Sequence, residues 1–268
     1  MKQFLPIYIF ITLLVCIATG CEMETDWNID NKGSFLVVDC IITNELKQHE
    51  LMLTRSVREL NDTPQGITGA LIRLKTGSEE ILFTDDGAKP GRYISTVPFM
   101  ATAGITYCLS VASGGINDSA YATMTGITPL DSVQIVTYNE LFRVNYAESP
   151  QPSMMQIYYN WSADSIYTGI YGAAEASEVF YSLDNIDAGK LFPPEKEIIA
   201  FPKNTTIIRR KYSLSEEHQQ FLRSLLLETE WRGGMFDVEQ GNVMTNFKNG
   251  VRGWFAACMV LTDTTEFK

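Results

Sequence analysis

Phe35-Leu36-Val37-Val38-Asp39-Cys40-Ile41-Ile42 is the stretch that decides the fold class of this chain. It is rich in β-branched residues, interrupted by a single carboxylate, and of strand rather than helix length. The text that follows keeps the same character. Residues 50–56 form a second apolar run after the polar break at 44–48, and Ala70-Leu71-Ile72-Arg73-Leu74-Lys75 alternates apolar with polar. Glu80-Ile81-Leu82-Phe83 runs into Asp85-Asp86-Gly87 and Pro90-Gly91, residues that favour turns because they tolerate or pre-set special backbone angles. Residues 93–97 and 106–111 complete a set of short strands. Strands at such spacing predict a β-sandwich of immunoglobulin or transthyretin type over residues 34–127.

Thr128-Pro129-Leu130-Asp131 reads as a hinge, and residues 128–268 as a second, β-rich domain. Within it, residues 132–144 and 154–161 are strand-like, and 172–206 are irregular around Pro193-Pro194 and Pro202. One amphipathic helix is expected near 214–228. Ser213-Leu214-Ser215-Glu216 has capping-box spacing, and Leu214, Phe221, Leu222, Leu225 and Leu226 form one apolar stripe. Residues 251–261 read as a buried closing strand. The expected class is therefore mainly β with one helix.

The N-terminus has a different logic. Lys2 precedes an apolar run from 4 to 18, which is short for a bilayer span and suits a secretory signal. Ala18-Thr19-Gly20-Cys21 resembles the bacterial lipobox, with Ala18 standing where Leu is usual. Residues 1–20 are read as a lipoprotein signal peptide, Cys21 as the lipidated residue, and 21–33, with Glu22, Glu24, Asp26 and Asp30, as an acidic tether. The implied first partner is the outer-membrane lipid bilayer, reached through palmitate-class acyl chains on Cys21.

A formal charge of −11 argues against nucleic acid as a partner. Beyond Cys16 and Cys21 the cysteines are Cys40, Cys108 and Cys258, an odd number set in apolar runs, and they read as buried free thiols. Two histidines, His49 in a polar loop and His218 on the outer side of the helix, supply no clustered metal ligands and no nucleophile elbow. Asp85-Asp86 reads as a turn rather than a glycosidase pair. No enzyme activity, cofactor or metal is expected. The segment that invites a ligand is aromatic: Tyr158, Tyr159, Trp161, Tyr167 and Tyr171. Flat rings suit sugars, peptides or planar molecules, yet strand alternation would bury one set, either Tyr159 with Trp161 or Tyr158 alone.

The order of segments resembles the DUF4249 family of Bacteroidetes lipoproteins. The resemblance rests on residues 35–44, Leu53-Thr54-Arg55-Ser56, Ile67-Thr68-Gly69-Ala70, Gly91-Arg92-Tyr93 and residues 104–111. Near the end it rests on Gly234-Met235-Phe236, residues 242–246 and residues 250–255. These motifs read as structural: Gly91 and Gly104 open strands, Tyr93 and Tyr107 cover a sheet edge, and Gly250 and Gly253 bracket a bend. The resemblance implies a surface-exposed lipoprotein beside a TonB-dependent outer-membrane transporter, helping to capture an unidentified nutrient. An adhesion or cell-envelope structural role without a transporter is the alternative. Four sites also resemble the Bacteroidetes O-glycosylation pattern: Ser119, Ser132, Ser165 and Thr264, each preceded by Asp and followed by a small or apolar residue.

Overall fold

The computed structural model describes residues 34–57, 62–184, 198–229 and 243–268. Cys21, Trp231 and Gly234-Met235-Phe236 lie outside them. Eight strands come first: β1 (Leu36–Thr43), β2 (Glu50–Arg55), β3 (Gln65–Gly66), β4 (Leu71–Thr76), β5 (Glu79–Asp85), β6 (Arg92–Ser95), β7 (Thr106–Ser113) and β8 (Ile116–Thr123). The hairpin β9 (Ile135–Tyr138) and β10 (Leu141–Val144) follows, then β11 (Ser153–Asn160), α1 (Ser165–Tyr171), β12 (Glu175–Ser182) and β13 (Thr205–Ser213). Helix α2 (Glu216–Glu228) precedes the closing strands β14 (Val251–Cys258) and β15 (Val260–Phe267). The chain is mainly β, as its alternating apolar text requires.

The first eight strands do not separate into independently hydrogen-bonded layers. They form one ladder in the order β14-β1-β2-β6-β5-β4-β7-β8, with β3 beside β2. β14 comes from beyond the expected hinge and pairs parallel to β1 along its whole length, from Leu36 opposite Val251 to Thr43 opposite Cys258. The two ends of the ladder then meet. On β8, Asp118 accepts hydrogen bonds from the backbone N–H groups of Lys248 (3.1 Å), Asn249 (2.6 Å) and Val251 (3.2 Å). Asn246 donates to the carbonyls of Tyr121 (3.3 Å) and Phe255 (2.8 Å) and accepts from Phe255 N–H. Burial raises the Asp118 pKa, but these backbone donors outweigh it and the carboxyl ends below its ordinary value. The enclosed core takes every second residue of β1, Leu36, Val38, Cys40 and Ile42, and meets Leu53, Ile72, Leu109 and Val111 from neighbouring strands.

A four-stranded antiparallel sheet, β12-β11-β13-β15, makes the second layer. β12 occupies ground expected to be irregular: its Glu175, Ser177 and Glu178 mask the strand pattern, as suits an edge exposed to water. α1 is likewise unexpected, a helix of 7 residues capped by Asp164, which accepts from Tyr167 N–H at 2.9 Å. The cap of α2 is Ser215 rather than Ser213. Ser215 accepts from His218 N–H, while the Ser213 hydroxyl is still in β13 and accepts from Met259 N–H at 2.9 Å. The expected single closing strand is two, because the chain passes at Met259 from the first sheet into the second.

The segment expected to act as a hinge is strapped down. Lys211 on β13 donates to the Thr128 hydroxyl (2.9 Å) and to the carbonyls of Thr128 and Pro129. Arg209 donates to the Asp131 carbonyl (2.8 Å) and pairs with Asp263 (2.5 Å). Residues Ser34–Lys268 form one compact unit.

Two glycines earn their place by close approach. Gly91, at φ +85, would drive a Cβ to 2.5 Å from the Leu53 carbonyl oxygen. Gly253 is part of β14, not a bend before it, and at φ +88 a Cβ there would lie 2.0 Å from the Val38 carbonyl oxygen. The tyrosines of the same motifs are buried rather than at an edge. Tyr93 donates to the Ile67 carbonyl and accepts from Ala70 N–H, both at 2.9 Å, and Tyr107 accepts from Thr102 N–H at 2.8 Å. Gly253→Ala is expected to cost at least about 2 kcal/mol and to lower the thermal midpoint by several degrees. Gly126→Ala, where a Cβ would meet nothing within 4 Å, serves as the neutral comparison. Equal midpoints for the two variants would show that the β1–β14 contact is not as close as described.

Candidate binding groove

α2 owes its position to a stripe of its own sequence. His218, Leu222 and Leu226 recur at i, i+4 and i+8 and are all buried. They pack with Trp254, Ala256 and Cys258 on the outer side of β14 and with Met154 and Tyr212 of the second sheet. Trp254 stacks on Phe221, with ring centres 4.7 Å apart and planes 13° from parallel, and lies nearly parallel to His218 at 6.0 Å. The expectation that His218 faces solvent is overturned. The helix turns this residue toward β14 because its period coincides with the leucines. His49 is also buried, its Nε2 lying 3.1 Å from the Phe99 carbonyl and its ring 4.4 Å from that of Phe99.

His218 Nδ1 approaches the Cys258 thiol at 3.7 Å. A nucleophilic cysteine needs a lowered pKa and a charged imidazole beside it. Here burial drives both groups the other way, the thiol up to about 12 and the histidine down to about 4. The pair is neutral, and its role is packing. Cys40 is buried in the first core, with its thiol pKa pushed up by burial, whereas Cys108 is only half-buried, contrary to expectation.

Beside this packing a groove opens between α2 and the outer faces of β1 and β14. Its volume is about 540 Å³, within the range of pockets that hold small molecules. The walls are Ile41, Met154, Leu225, Met244 and the Phe221–Trp254 stack. Two charged residues also line it. Asp39 stands between Val37 and Ile41 on the outer face of β1, and Arg252 stands two residues before Trp254 on β14. Among the described residues the Asp39 carboxylate has no hydrogen bond or ion pair, and desolvation raises its pKa. The Arg252 guanidinium sits 5.2 Å over the Phe35 ring and has no carboxylate partner among the described residues. Neither residue stood out in the sequence. The available signal was an ionisable residue on a strand whose two faces are both apolar, since a solvated outer face would not carry Val37 and Ile41 as well.

The aromatic segment is divided by the pleat. Tyr159 and Trp161 are buried, with Tyr159 stacked 5.1 Å from Phe201 and hydrogen-bonded to Glu178. Trp161 donates to the Ala173 carbonyl (2.8 Å) and meets Tyr167 edge-on at 5.6 Å. Tyr167 donates to the Ala200 carbonyl at 2.8 Å. Tyr158 points to the opposite, exposed face. The side chain of Tyr171 lies outside the described residues. No common surface gathers the four that are described. Of the candidate glycosylation sites, Ser132, Ser165 and Thr264 are exposed, while Ser119 is half-buried inside β8 beside the committed Asp118.

A second cavity of about 400 Å³ lies beside the β9–β10 hairpin, with Arg209 and Lys211 in its lining. Burial lowers the Lys211 pKa, and the nearby Asp131 acts in the opposite sense. Both cations are already engaged by the strap, whereas Asp39 and Arg252 in the α2 groove have no ion-pair partner among the described residues.

The family model described as "Domain of unknown function (DUF4249)" matches residues 22–264. The chain belongs to this family. No curated protein and no solved structure matches it. Within this DUF4249 chain, then, the groove is defined by its own geometry.

The histidines predict an acid limb of stability. The folded pKa of His218 is about 4 against an ordinary 6.5, and that of His49 is similarly lowered. The unfolded chain therefore takes up protons first. Stability is complete above pH 6.5 and falls as pH drops toward 4. Urea unfolding at pH 7 and pH 5 should show His218→Phe, which keeps the ring stack, losing about 2 kcal/mol less than the wild type over that interval. Parallel losses in the two proteins would mean that His218 is not held neutral by burial.

Proposed function

We propose that this chain is a lipid-anchored, non-catalytic binding protein of the outer membrane. It is exposed at the cell surface and serves as the accessory of a TonB-dependent transporter. The observation that carries the binding role is the groove under α2, where an apolar lining of about 540 Å³ includes two opposite charges without a partner among the described residues. Both residues are exposed, so their charges are open to a ligand that enters between the apolar walls. The anchor is assigned to Cys21 from the lipobox-like Ala18-Thr19-Gly20-Cys21, and the acidic residues after it suit a tether held off a negatively charged membrane. The transporter partner follows from the family resemblance. The neutral His218–Cys258 pair and the buried His49 support a binding rather than a catalytic reading.

Two measurements test this reading. Growth with labelled palmitate should label the wild-type chain, and Cys21→Ala should lose both the label and sedimentation with membranes. Purification of the tagged wild type from mildly solubilised outer membranes should bring down a TonB-dependent barrel in stoichiometric amount. Label that persists in Cys21→Ala would overturn the anchor. Recovery of the chain alone from intact membranes would overturn the transporter partnership.

A further inference from the structure

α2 rests on the sheet along one line, with open space on both sides of it. The groove of about 540 Å³ runs on the β1 side of β14. A smaller cavity of about 200 Å³ lies on the β8 side, lined among others by Tyr121, Thr123, Ser215 and Asn246. Among the described residues only His218 and Trp254 line both spaces. Their nearly parallel rings, 6.0 Å apart, are the partition between them. The remaining contacts of the helix are apolar: Leu222 and Leu226 meet Ala256 and Cys258 in a cluster separate from the first core. β14 does not need α2 to stay in place, because its pairing with β1 and the bonds to Asp118 belong to the first sheet.

We propose that α2 is an acid-released clasp: a proton on His218 frees the helix from β14 while the first sheet stays folded. Two features direct the effect to α2. His218 is the third residue of the helix, where a positive charge opposes the dipole of the N-terminal turn. Its ring is also buried beside Phe221, Trp254 and Cys258, where an imidazolium loses its water and, among the described residues, pairs with no carboxylate. The ionisable groups around it come from four elements. Glu216 and Glu217 share the first turn of α2, and Glu217 lines the smaller cavity with Tyr121 of β8. Asp39 of β1 and Arg252 of β14 line the groove, and Cys258 of β14 packs in the apolar cluster with Tyr212 of β13. None of them offsets the burial that lowers the His218 pKa to about 4, so the proton is taken up as the helix leaves. α2 is a wall of the groove, so its release opens that site. This consequence rests on the binding role proposed above, whereas the release itself does not.

Two buried thiols separate release of the helix from unfolding of the chain. Cys258 lies under α2, 3.7 Å from His218, and Cys40 lies in the first core. The full-length chain in lipid nanodiscs is treated with dithiodipyridine, a disulfide that reacts with thiols in acid as well as at neutral pH, and each site is read by peptide mass spectrometry. Rates are taken relative to the same thiol in the urea-unfolded chain at the same pH. Between pH 7 and pH 5 the Cys258 rate is expected to rise about twentyfold, the ratio set by the proton affinities of the buried and the freed imidazole, with Cys40 still protected. His218→Phe, which keeps the ring stack, should leave Cys258 nearly independent of pH. Cys40 rising together with Cys258 overturns the proposal, because the chain then unfolds as a whole. A Cys258 rate that stays flat overturns it too, as does one that rises equally in His218→Phe. The comparison of Cys258 with Cys40 is made on the wild type and holds even where the variant folds poorly. Thiol labelling needs no transporter and no ligand, so its failure leaves the binding and accessory roles standing, and their failure leaves the clasp.

Discussion

The parallel pairing of β14 on β1 is the contact on which the rest of the molecule depends. It joins residues more than two hundred positions apart, from Leu36 opposite Val251 to Thr43 opposite Cys258. It also gives one strand two interiors. Val251, Phe255 and Ala257 enter the core of the first sheet, while Trp254, Ala256 and Cys258 face α2 and the second sheet. A strand buried on both faces is apolar almost without interruption, which is the text of Trp254-Phe255-Ala256-Ala257-Cys258. Gly253 lets the two backbones approach where any side chain would strike the Val38 carbonyl. One residue after β14 ends, β15 begins in the other sheet, so the register of this single pairing fixes how both sheets share their strands.

That dependence separates what was legible in the sequence from what was not. Local period was enough for β1, β4 and β7, because alternation over six to eight residues is a one-dimensional signal. It was enough for α2 to within a turn, though not for its cap, since Ser213 and Ser215 offer the same hydroxyl and only the end of β13 decides between them. The partner of an edge strand has no such signal. Nothing in residues 251–258 says that they pair with β1 rather than with a neighbour in sequence, so the sheets were expected to follow chain order. Long-range pairing is what a reading of local pattern omits.

The candidate site followed the same rule. The aromatic segment drew attention because its residues are adjacent in sequence, and the pleat then sent Tyr158 one way and Tyr159 with Trp161 the other. That alternation was foreseeable; which face would be buried was not, as it depends on Phe201 and Phe267 arriving from other strands. Asp39 and Arg252 were invisible for the opposite reason. They are 213 positions apart in the chain, and they share a groove only because β1 and β14 are neighbours.

Among the described residues these two charges are treated differently from those elsewhere in the fold. Asp118 is buried and receives backbone N–H groups from the segment that precedes and opens β14. Lys211 and Arg209, also buried, are met by carbonyls, a hydroxyl and Asp263. Glu45 accepts from Thr43 and is bonded to Lys47 and Arg210, tying the loop after β1 to the second sheet. In each case a charge holds two segments together and is satisfied in doing so. Among the described residues Asp39 and Arg252 have no ion-pair partner, and both are exposed beside a doubly buried strand and a capped helix. The fold thus pairs the charges that it buries and leaves these two, on the outer faces of β1 and β14, to solvent.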